Sequence, residues 1–450
     1  MNKAEIMTKK HDKKCPLAPH LRFPEFRDEW YSQALGTIAS IIKEKAGDKK
    51  CTLMSIITGV GLISQIDKFG KEIAGNQYKN YIILRKGDFA YNKSATKDYP
   101  QGFIALYTGN EIAAVPNSIF TCFKVQPESI VPAYLNYLFL GNFHGKWLRR
   151  YITVGARAHG SLSIDDDDLL SLPIPYPKGV SSLGEQQKIA DCLSSLDERI
   201  AAETSKLDRL KDHKKGLLKQ LFPAEGETLP QLRFPEFRNA GEWENVQLGP
   251  QTTKVGSGVT PRGGDRNYIK QGRPFIRSQN VGWGELILDD IVFISEEIHR
   301  TFISTEIEKN DILLNITGAS IGRSAFADSR IAGGNVNQHV CIIRTKPSLL
   351  NSLFLMQYIL SEYGQKQVDS FQAGGNRQGL NFAQVKSFSI PTPPQSTVMQ
   401  CACLEQQRIA DCLSSLDELI AAQTQKIDLL KEHKKGLMQQ LFPRIDEVLA

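Results

Sequence analysis

The chain has 450 residues, with 55 Lys and Arg against 49 Asp and Glu, and a formal net charge of +6. This length suggests two to four domains, and the small positive charge allows nucleic acid as a partner without demanding it. There is no run of about 18 apolar residues, so the sequence predicts no membrane span, and the charged start does not resemble a signal peptide. Eight scattered cysteines without a Cys-x-x-Cys pair predict reduced thiols in a cytoplasmic protein.

A short motif marks the start of each half of the chain. Residues 1–20 are predicted to be a flexible basic tail, and the sequence Leu-Arg-Phe-Pro-Glu-Phe-Arg then begins at Leu21 and again at Leu232. A tryptophan follows each copy, at Trp30 and Trp243. Proline and aromatic residues at this density favour an extended docking segment over a helix. Residues 224–242 are therefore read as a linker and leader.

Two globular segments follow the leaders, and we call them module 1 (residues 21–178) and module 2 (residues 243–396). They share a skeleton in which Lys86–Asn92 resembles Lys309–Asn315, and a predicted helix at 134–140 matches one at 354–360. Both segments end in Pro-rich apolar strands, and short strands are predicted at Phe103–Leu106 and Cys341–Arg344. The sequence therefore predicts one mixed α/β fold that was duplicated while its polar residues diverged.

The strongest repeat follows each module. Residues 185–223 and 405–443 are identical at 30 of 39 positions, and each copy ends in Leu-Phe-Pro. Apolar residues recur at spacings of four and three, which is the pattern of a coiled-coil seam. The seam residues chosen as the helix and subunit interface are Ile189, Leu193, Leu196, Ile200, Leu207 and Leu210 with Ile409, Leu413, Leu416, Ile420, Ile427 and Leu430.

These repeats predict long helices within residues 179–223 and 397–450, each packed antiparallel against the other. Polar residues at matching seam positions, Glu203 with Gln423 and Lys214 with Lys434, are expected to help fix the register. The predicted fold class is α+β: two mixed α/β domains joined by two long antiparallel coiled-coil helices, with a pseudo-twofold internal duplication. The alternative is that two unrelated helices pack on separate cores. A rod of this length also offers surface to a partner protein.

The contrast between nearly identical helices and diverged modules carries a functional argument. It favours a protein that makes two different contacts at a fixed spacing. Equivalent positions one DNA turn apart are separated by about 34–36 Å, and a rod of about 35 helical residues is about 50 Å long. The sequence therefore predicts a split, asymmetric DNA site with an unread spacer.

Candidate DNA contacts are polar residues in predicted loops of both modules. Arg suits guanine and Asn or Gln suits adenine in the major groove, whereas Ser, Thr and Lys suit phosphates. Asn and Gly at strand ends are also common turn formers, so each residue has that alternative interpretation. The candidates are Asn92, Lys93, Ser94, Lys97, Asn117 and Arg157 in module 1, and Arg262, Arg277, Asn280, Asn315, Thr317, Ser320, Arg323, Asn337, Gln338 and Arg377 in module 2.

The sequence predicts no catalytic, metal or cofactor site. Four consecutive carboxylates at Asp165–Asp168 do not converge on one point and suit a helix start or a solvated loop. His213 and His433 are read as surface residues, and Gly256-Ser-Gly258 is too short for a dinucleotide fingerprint. Two alternatives to a DNA-recognition scaffold remain, namely a DNA-modifying enzyme that acts alone and a structural coiled-coil linker.

Taken together, the duplicated Glu-Gln-Gln-[Lys/Arg]-Ile-Ala helices, the Leu-Arg-Phe-Pro-Glu-Phe leaders and the stretch 311–318 resemble the specificity subunits of type I restriction-modification enzymes. The resemblance covers residues 20–443. It implies two target-recognition domains on double-stranded DNA and two modification subunits that methylate adenine with S-adenosylmethionine. It further implies two restriction subunits that use ATP and Mg²⁺ to translocate and cleave unmodified DNA. This chain would bind none of these cofactors and no membrane.

Overall fold

The structure is a computed structural model, and it describes residues 17–154, 162–372, 379–394 and 401–448. Of the predicted tail, residues 1–16 lie outside these ranges. The chain divides into two compact units. Unit 1 contains residues 1–203 and 426–450, and unit 2 contains residues 204–425. Each unit therefore combines one module with part of both long helices.

Module 1 and the first long helix are built from short elements followed by one of 40 residues. In chain order they are β1 (Trp30–Ala34), β2 (Ala39–Ile41), β3 (Thr52–Ile57), β4 (Gly61–Ser64), α1 (Gln65–Phe69), β5 (Ile82–Leu84), β6 (Phe89–Asn92), β7 (Phe103–Leu106), β8 (Ala113–Val115), β9 (Phe120–Val125), α2 (Pro132–Leu140), α3 (Phe143–Leu148), β10 (Thr153–Val154), β11 (Leu162–Ser163), α4 (Asp166–Leu170), β12 (Pro173–Pro177) and the long helix α5 (Ser182–Leu221).

Module 2 and the second long helix, which has 41 residues, follow the same plan. In chain order the elements are β13 (Glu244–Gln247), β14 (Thr252–Ser257), β15 (Arg273–Ile276), β16 (Val292–Ile294), α6 (Glu296–Thr301), β17 (Ile312–Asn315), β18 (Ser324–Phe326), β19 (Asn335–Val336), β20 (Val340–Thr345), α7 (Ser352–Leu360), α8 (Glu362–Ser370), α9 (Phe382–Lys386), β21 (Ser389–Thr392), the long helix α10 (Cys401–Leu441) and α11 (Ile445–Val448).

The two modules share the topology of their first sheet and most of their second. Module 1 has an antiparallel sheet in the order β2-β9-β6-β7, and module 2 has β14-β20-β17-β18. The second sheet is β4-β3-β8-β5 in module 1 and the shorter β16-β15-β19 in module 2, and each contains one parallel pair, β3 with β8 and β15 with β19. The first and last strands also pair in each, β1 with β12 and β13 with β21. The predicted duplication of one mixed α/β fold is confirmed.

Most predicted elements occur where the sequence placed them, with differences in burial. The predicted strands at 103–106 and 341–344 are β7 and the middle of β20, and the predicted helices are α2 and α7. Both strands are buried on both faces at almost every position, because helices or a second sheet cover the side expected to be solvated. The carboxylate run forms the first turn of α4, with Asp165 as its N-cap residue.

In each unit the module core includes residues from both long helices. The core of unit 1 contains Ile189 and Leu193 from the beginning of α5 and Leu441 and Phe442 from the end of α10. In unit 2 the corresponding core residues are Ile409, Leu413, Leu221 and Phe222. Ile189, Leu193, Ile409 and Leu413, which are predicted seam residues, thus also contribute to the core of a module.

All twelve predicted seam positions are buried or half-buried. Within unit 1, Asp197 pairs with Lys434 and Glu203 pairs with Lys426, both at 2.5 Å. Residue numbers rise along α5 as they fall along α10, so the two segments run antiparallel. In unit 2, Lys214 pairs with Asp417 at 2.6 Å. Glu203, Lys214 and Lys434 thus lie at the contact between the two helices, and their role in fixing the register stays a prediction together with that of Gln423.

The leader motifs bind the start of each long helix. Arg22 donates to both carboxylate oxygens of Glu185 at 2.7 and 2.8 Å, and Arg233 does the same to Glu405. Both glutamates are almost completely buried, and the bidentate guanidinium supplies hydrogen bonds to both oxygens of each carboxylate. The repeated Leu-Arg-Phe-Pro-Glu-Phe sequence therefore docks on the helix, but it is not extended throughout as predicted, because Pro235–Phe237 forms one turn of 3-10 helix.

The glutamine after each buried glutamate holds the module's central helix. Gln186 accepts a hydrogen bond from the backbone N–H of Val131, the N-cap residue of α2, at 2.8 Å. Gln406 accepts one from Asn351, the N-cap residue of α7, at 2.7 Å. Each bond satisfies a backbone donor near a helix start. The repeated Glu-Gln-Gln motif thus fixes both the leader and the module to the helix.

Candidate nucleic-acid interface

Three of the predicted DNA-contact loops of module 2 leave the same end of one sheet. Asn315 at the end of β17 pairs with Val340 at the start of β20, and Ser257 at the end of β14 pairs with Cys341. Neighbouring antiparallel strands that end together place their loops side by side. We call residues 258–262, 277–280, 316–323 and 335–339 the interface loops of module 2.

Side chains from three of these loops form a continuous polar chain. Thr260 donates to the Gln338 side-chain oxygen. The Gln338 Nε2 lies 3.0 Å from His339 Nε2, and His339 Nδ1 lies 2.6 Å from the Thr317 hydroxyl oxygen. Which ring nitrogen of His339 donates depends on its tautomer, and in either case the ring joins Gln338 to Thr317.

A glycine allows two of the loops to approach each other. A Cβ on Gly258 would lie 1.6 Å from the Val336 carbonyl oxygen, which no side chain can tolerate. The Gly258 N–H also donates to the Asn337 carbonyl at 3.3 Å. The backbones of the loops 258–262 and 335–339 are therefore in direct contact at this glycine. This contact fixes the positions of Thr260 and Gln338 relative to each other.

Several predicted contact residues have their polar groups turned inward. Asn280 is fully buried and bonds Arg277 N, Ile287 O and Asp290 Oδ1. Asn315 is also fully buried and donates to Ser278 O at 2.8 Å. Asn337 is 7% exposed and accepts from His339 N. These amides hold the interface loops in shape, and they do not present their edges to a ligand.

Two cations near these loops have structural partners. The Arg277 guanidinium, a predicted contact residue, pairs with Asp290 at 3.2 Å and lies over the Tyr268 ring at 5.6 Å. Lys254 lies in strand β14 and donates to Ser304 O. Burial and the neighbouring Arg344 lower the pKa of Lys254. Both cations therefore serve the protein's own framework.

The remaining predicted residues of module 2 face outward. Arg262 and Gln338 are exposed, and Thr317, Ser320 and Arg323 are half-buried. Arg323 has no side-chain hydrogen bond or ion pair within the part of the chain that the structure describes. A guanidinium left free beside hydroxyl groups matches what a phosphate or a guanine edge requires. Arg377 lies outside the described residues.

Module 1 brings its predicted residues together in the same place on the equivalent sheet. Lys93 follows β6, and its backbone bonds Ile119 O and Leu162 N, each at 2.9 Å. We call residues 93–97 and 116–119 the interface loops of module 1. Lys97 and Asn117 are exposed, and Lys93 and Ser94 are half-buried. Arg157 lies outside the described residues.

The two modules share one buried asparagine at the root of these loops. Asn92 ends β6 and is 5% exposed, and Asn315 ends β17 with no exposure. Within the described residues, the Oδ1 atom of each is buried without a hydrogen-bond partner. Asn92 is thus placed like Asn315 and is not one of the outward-facing groups.

Sequence reasoning missed a hairpin tip that both modules expose. The tip is Gly59-Val60-Gly61 in module 1 and Gly282-Trp283-Gly284 in module 2. Val60 is 76% exposed and Trp283 is 57% exposed. Two glycines around one apolar residue are a signal that the sequence contains in both modules. The modules differ in length, so an alignment of the two does not place these tips opposite each other.

The described residues contain no cluster of His, Cys, Asp and Glu that could hold a metal ion. A search of the same residues finds no helix with the length and apolar content needed to cross a membrane. His213 and His433 are exposed on the long helices, as predicted. The cysteines at 51, 122, 192, 341, 403 and 412 are free thiols.

Comparisons with known proteins agree with this architecture. The model of the type I restriction modification DNA specificity domain matches residues 28–212 and 241–432. The putative type I restriction enzyme MjaX specificity subunit of Methanocaldococcus jannaschii is 24% identical over 430 residues, covering 93% of this chain and 94% of that protein. The type I restriction enzyme EcoBI specificity subunit of Escherichia coli is 31% identical over 138 residues, 30% of this chain and 28% of its own length.

Solved structures show the same fold. The crystal structure of the type I restriction-modification S subunit from M. genitalium has a TM-score of 0.57 at 15% identity, with 95% of this chain and 99% of that chain covered. A chain from a study of assembly and conformational transition in the type I R-M system has a TM-score of 0.54 at 18% identity, covering 93% and 99%. The predicted fold class is confirmed.

Proposed function

Because the chain belongs to the family of type I restriction modification DNA specificity proteins, we propose that each module reads one half of an asymmetric, bipartite DNA site. Members of this family are recognition subunits and not enzymes, and this chain is one of them. The proposal therefore concerns how the chain binds DNA and its partner subunits.

One observation carries the proposal. The same end of the same sheet bears polar loops in both modules, but the outward-facing groups differ. Module 1 offers Lys93, Ser94, Lys97 and Asn117. Module 2 offers Arg262, Thr317, Ser320, Arg323 and Gln338. Because hydrogen-bond donors and acceptors at base edges determine which base is accepted, different groups on one scaffold read different sequences.

The long helices supply the second part of the proposed function. They are continuous over 40 and 41 residues, and their sequences are identical at 30 of 39 repeated positions. A repeated surface suits two copies of the same partner. We assign to it the docking of two modification subunits, which methylate one adenine in each half-site with S-adenosylmethionine, and the fixing of the spacer between the half-sites.

The catalytic steps then belong to other chains. Two restriction subunits, using ATP and Mg²⁺, join the complex and cleave DNA that lacks the methyl groups. The chain itself binds none of these cofactors and works in the cytoplasm, where the DNA is. Exposed Lys and Arg side chains at the interface loops suit phosphates, whose binding depends on salt.

The experiment that tests the proposal is adenine-methylation sequencing of cells with and without this gene. We expect a split, asymmetric methylated motif that disappears on deletion. Replacing residues 30–178 of module 1 by the matching part of a related chain should change one half-site and leave the other half-site and the spacer as they were. A methylome that is the same with and without the gene, in cells expressing active partners, would contradict the proposal.

A further inference from the structure

Trp283 is the most exposed aromatic side chain of module 2 within the described residues, ahead of Phe382 at 40%. It is 57% exposed, whereas Trp30 and Trp243 are 5% and 4% exposed. It lies between Gly282 and Gly284, at the tip of a short hairpin. An indole in this position offers a large apolar face and one N–H donor to a ligand.

The hairpin that carries Trp283 is held firmly at its base. Val281 bridges Leu286 and is itself fully buried in a core cluster of module 2. Gly282 N donates to Glu285 O, and Gly284 N donates to Ser324 O, each at 2.9 Å. Gly284 has a φ of 93°, which residues with a side chain rarely adopt. The ring is thus presented by a fixed backbone.

The tip lies beside the interface loops of module 2. Its anchor, Ser324, directly follows Arg323 and pairs in the sheet with Leu314. The other strand of the hairpin is tied to the same loops, because Asn280 bonds Ile287 through both its backbone and its side chain. Trp283 therefore continues the surface on which Arg323, Thr317 and Ser320 face outward.

Module 1 has the same device with a smaller residue. Val60 follows Gly59 and precedes Gly61, whose φ values are 81° and 135°, where β3 turns into β4. Val60 is 76% exposed. Both modules thus place an apolar side chain at a glycine-flanked tip, but only module 2 has a ring that can stack on a base.

We propose that Trp283 enters the DNA as a wedge and stacks on a base of the half-site read by module 2. The inference rests on the proposed function. Apolar side chains inserted at base steps unstack them, and aromatic side chains stack on bases of any type. Glu285, exposed beside the ring, is repelled by phosphates but can accept from cytosine N4, so the tip suits the base edges better than the backbone.

The test uses the complete complex with its modification subunits and a duplex containing the methylated motif. The tryptophan emission of the wild type minus that of Trp283→Phe gives the emission of Trp283. We expect this emission to be quenched when the complex binds the specific duplex. The fluorescent base 2-aminopurine is placed at one position of the duplex at a time, away from the methylated adenine. We expect its fluorescence to increase at the one base step that the tryptophan unstacks. The Trp283→Ala variant should not give this increase. Specific affinity should fall about 10-fold.

Two further variants sharpen the result. Ile303→Ala removes an apolar side chain that is 61% exposed elsewhere in module 2, so it should leave affinity and both fluorescence signals as in wild type. Val60→Trp should create a second quenching signal that depends on the half-site of module 1. Thermal unfolding of each complex checks that the surface changes leave the fold intact.

Three outcomes would overturn the wedge. One is equal affinity and equal 2-aminopurine signals for wild type and Trp283→Ala. Another is protection of Trp283 from acrylamide by the modification subunits before DNA is added, which would make the tip a protein-docking surface. A third is quenching that is the same with unrelated duplex. In each of these three outcomes the wild-type complex still binds its specific duplex, so only the wedge is refuted. If the proposed function were wrong, the wild-type complex itself would not bind that duplex specifically.

Discussion

Lys434 and Asp197 form an ion pair of 2.5 Å between the two long helices in unit 1, and Asp197 also accepts from the Tyr137 hydroxyl at 2.8 Å. In unit 2 the pair is Lys214 with Asp417, and Gln357 takes the place of the tyrosine at 2.7 Å. Burial and the carboxylate of Asp197 raise the pKa of Tyr137, so its hydroxyl stays a donor at neutral pH. Each aspartate thus ties both helices to its module.

The first prediction concerns the energy of this contact. Lys434 is 17% exposed and Asp197 is 44% exposed, so solvent screens the pair and its coupling should be modest. A double-mutant cycle with Lys434→Ala and Asp197→Ala should give a coupling of about 0.5–1 kcal/mol in the free energy of unfolding. As a control, Lys188 and Glu25 lie 3.6 Å apart and are half exposed, so their coupling should be close to zero. Additive effects at Lys434 and Asp197 would contradict the assigned role.

The two ion pairs between a leader and a long helix, Arg22 with Glu185 and Arg233 with Glu405, should contribute more to the free energy of unfolding than Lys434 with Asp197. The two contributions should also differ from each other. Arg233 is 8% exposed and Glu405 is 1% exposed, so removing the arginine leaves a buried charge. Breaking such a pair costs about 3–5 kcal/mol. We expect Arg233→Ala to destabilise more than Arg22→Ala, because Glu185 keeps a second donor, Trp30 Nε1, at 3.3 Å. Denaturant unfolding of the two variants measures the difference, and equal losses would refute this explanation.

Module 1 should lose stability in mild acid because of His144. This side chain is fully buried, and burial lowers its pKa from 6.5 to about 4. The unfolded chain takes up a proton below pH 6.5, but the folded module does so only near pH 4. Stability is therefore intact above pH 6.5 and falls as the pH drops from 6.5 to about 4, by up to about 3 kcal/mol.

Hydrogen exchange at pH 7 and pH 5 can follow this loss in each module separately. Module 2 has Gly364 at the matching position and provides the internal reference. The His144→Gln variant keeps a donor for the Gly102 carbonyl, which His144 contacts at 3.1 Å, but it does not titrate. It should remove the extra acid sensitivity of module 1. Unchanged acid sensitivity in this variant would show that other groups cause it.

Two arginines of module 2 should behave differently. Arg323 lacks a side-chain partner in the described structure, whereas Arg277 is held by Asp290 and Tyr268. We expect Arg323→Ala to weaken binding of the complex to its specific duplex about 10-fold without changing the melting temperature. Arg277→Ala should mainly lower the stability of the loops around it. Gel shifts at several salt concentrations, with melting curves, separate the two cases, and normal binding by Arg323→Ala would remove this residue from the interface.

The long helices should act as a ruler. Four residues added to α5, with the same insertion at the matching place in α10, lengthen each by about 6 Å, or about two base pairs. We expect a methylated motif with a longer spacer and the same two half-sites. Leu196→Pro, which breaks the seam, serves as the control that should abolish subunit assembly. An unchanged spacer in an assembled, active complex would refute the ruler.

The repeats could be recognised without coordinates because they are properties of the chain in one dimension. The identical helices, the leaders and the duplicated strand order follow from residue spacing, and spacing also predicted that Lys214 and Lys434 lie at the seam. The bidentate pair of Arg22 with Glu185 was within reach as well, since both residues recur in the second half. Nothing in the spacing, however, linked those two residues to each other.

The roles of the individual loop residues were decided only by the tertiary structure. Asn315 and Arg323 belong to one loop and both suited DNA by composition, yet Asn315 donates to Ser278, 37 residues away, while Arg323 stays free. Likewise, Trp283 is an ordinary aromatic residue in the sequence and becomes exposed only because its hairpin is anchored to Ser324. The fold decides which distant backbone groups lie near a polar or aromatic side chain. Those neighbours determine whether the side chain is bonded inside the protein or exposed to a ligand. Sequence periodicity contains no information about those distant neighbours.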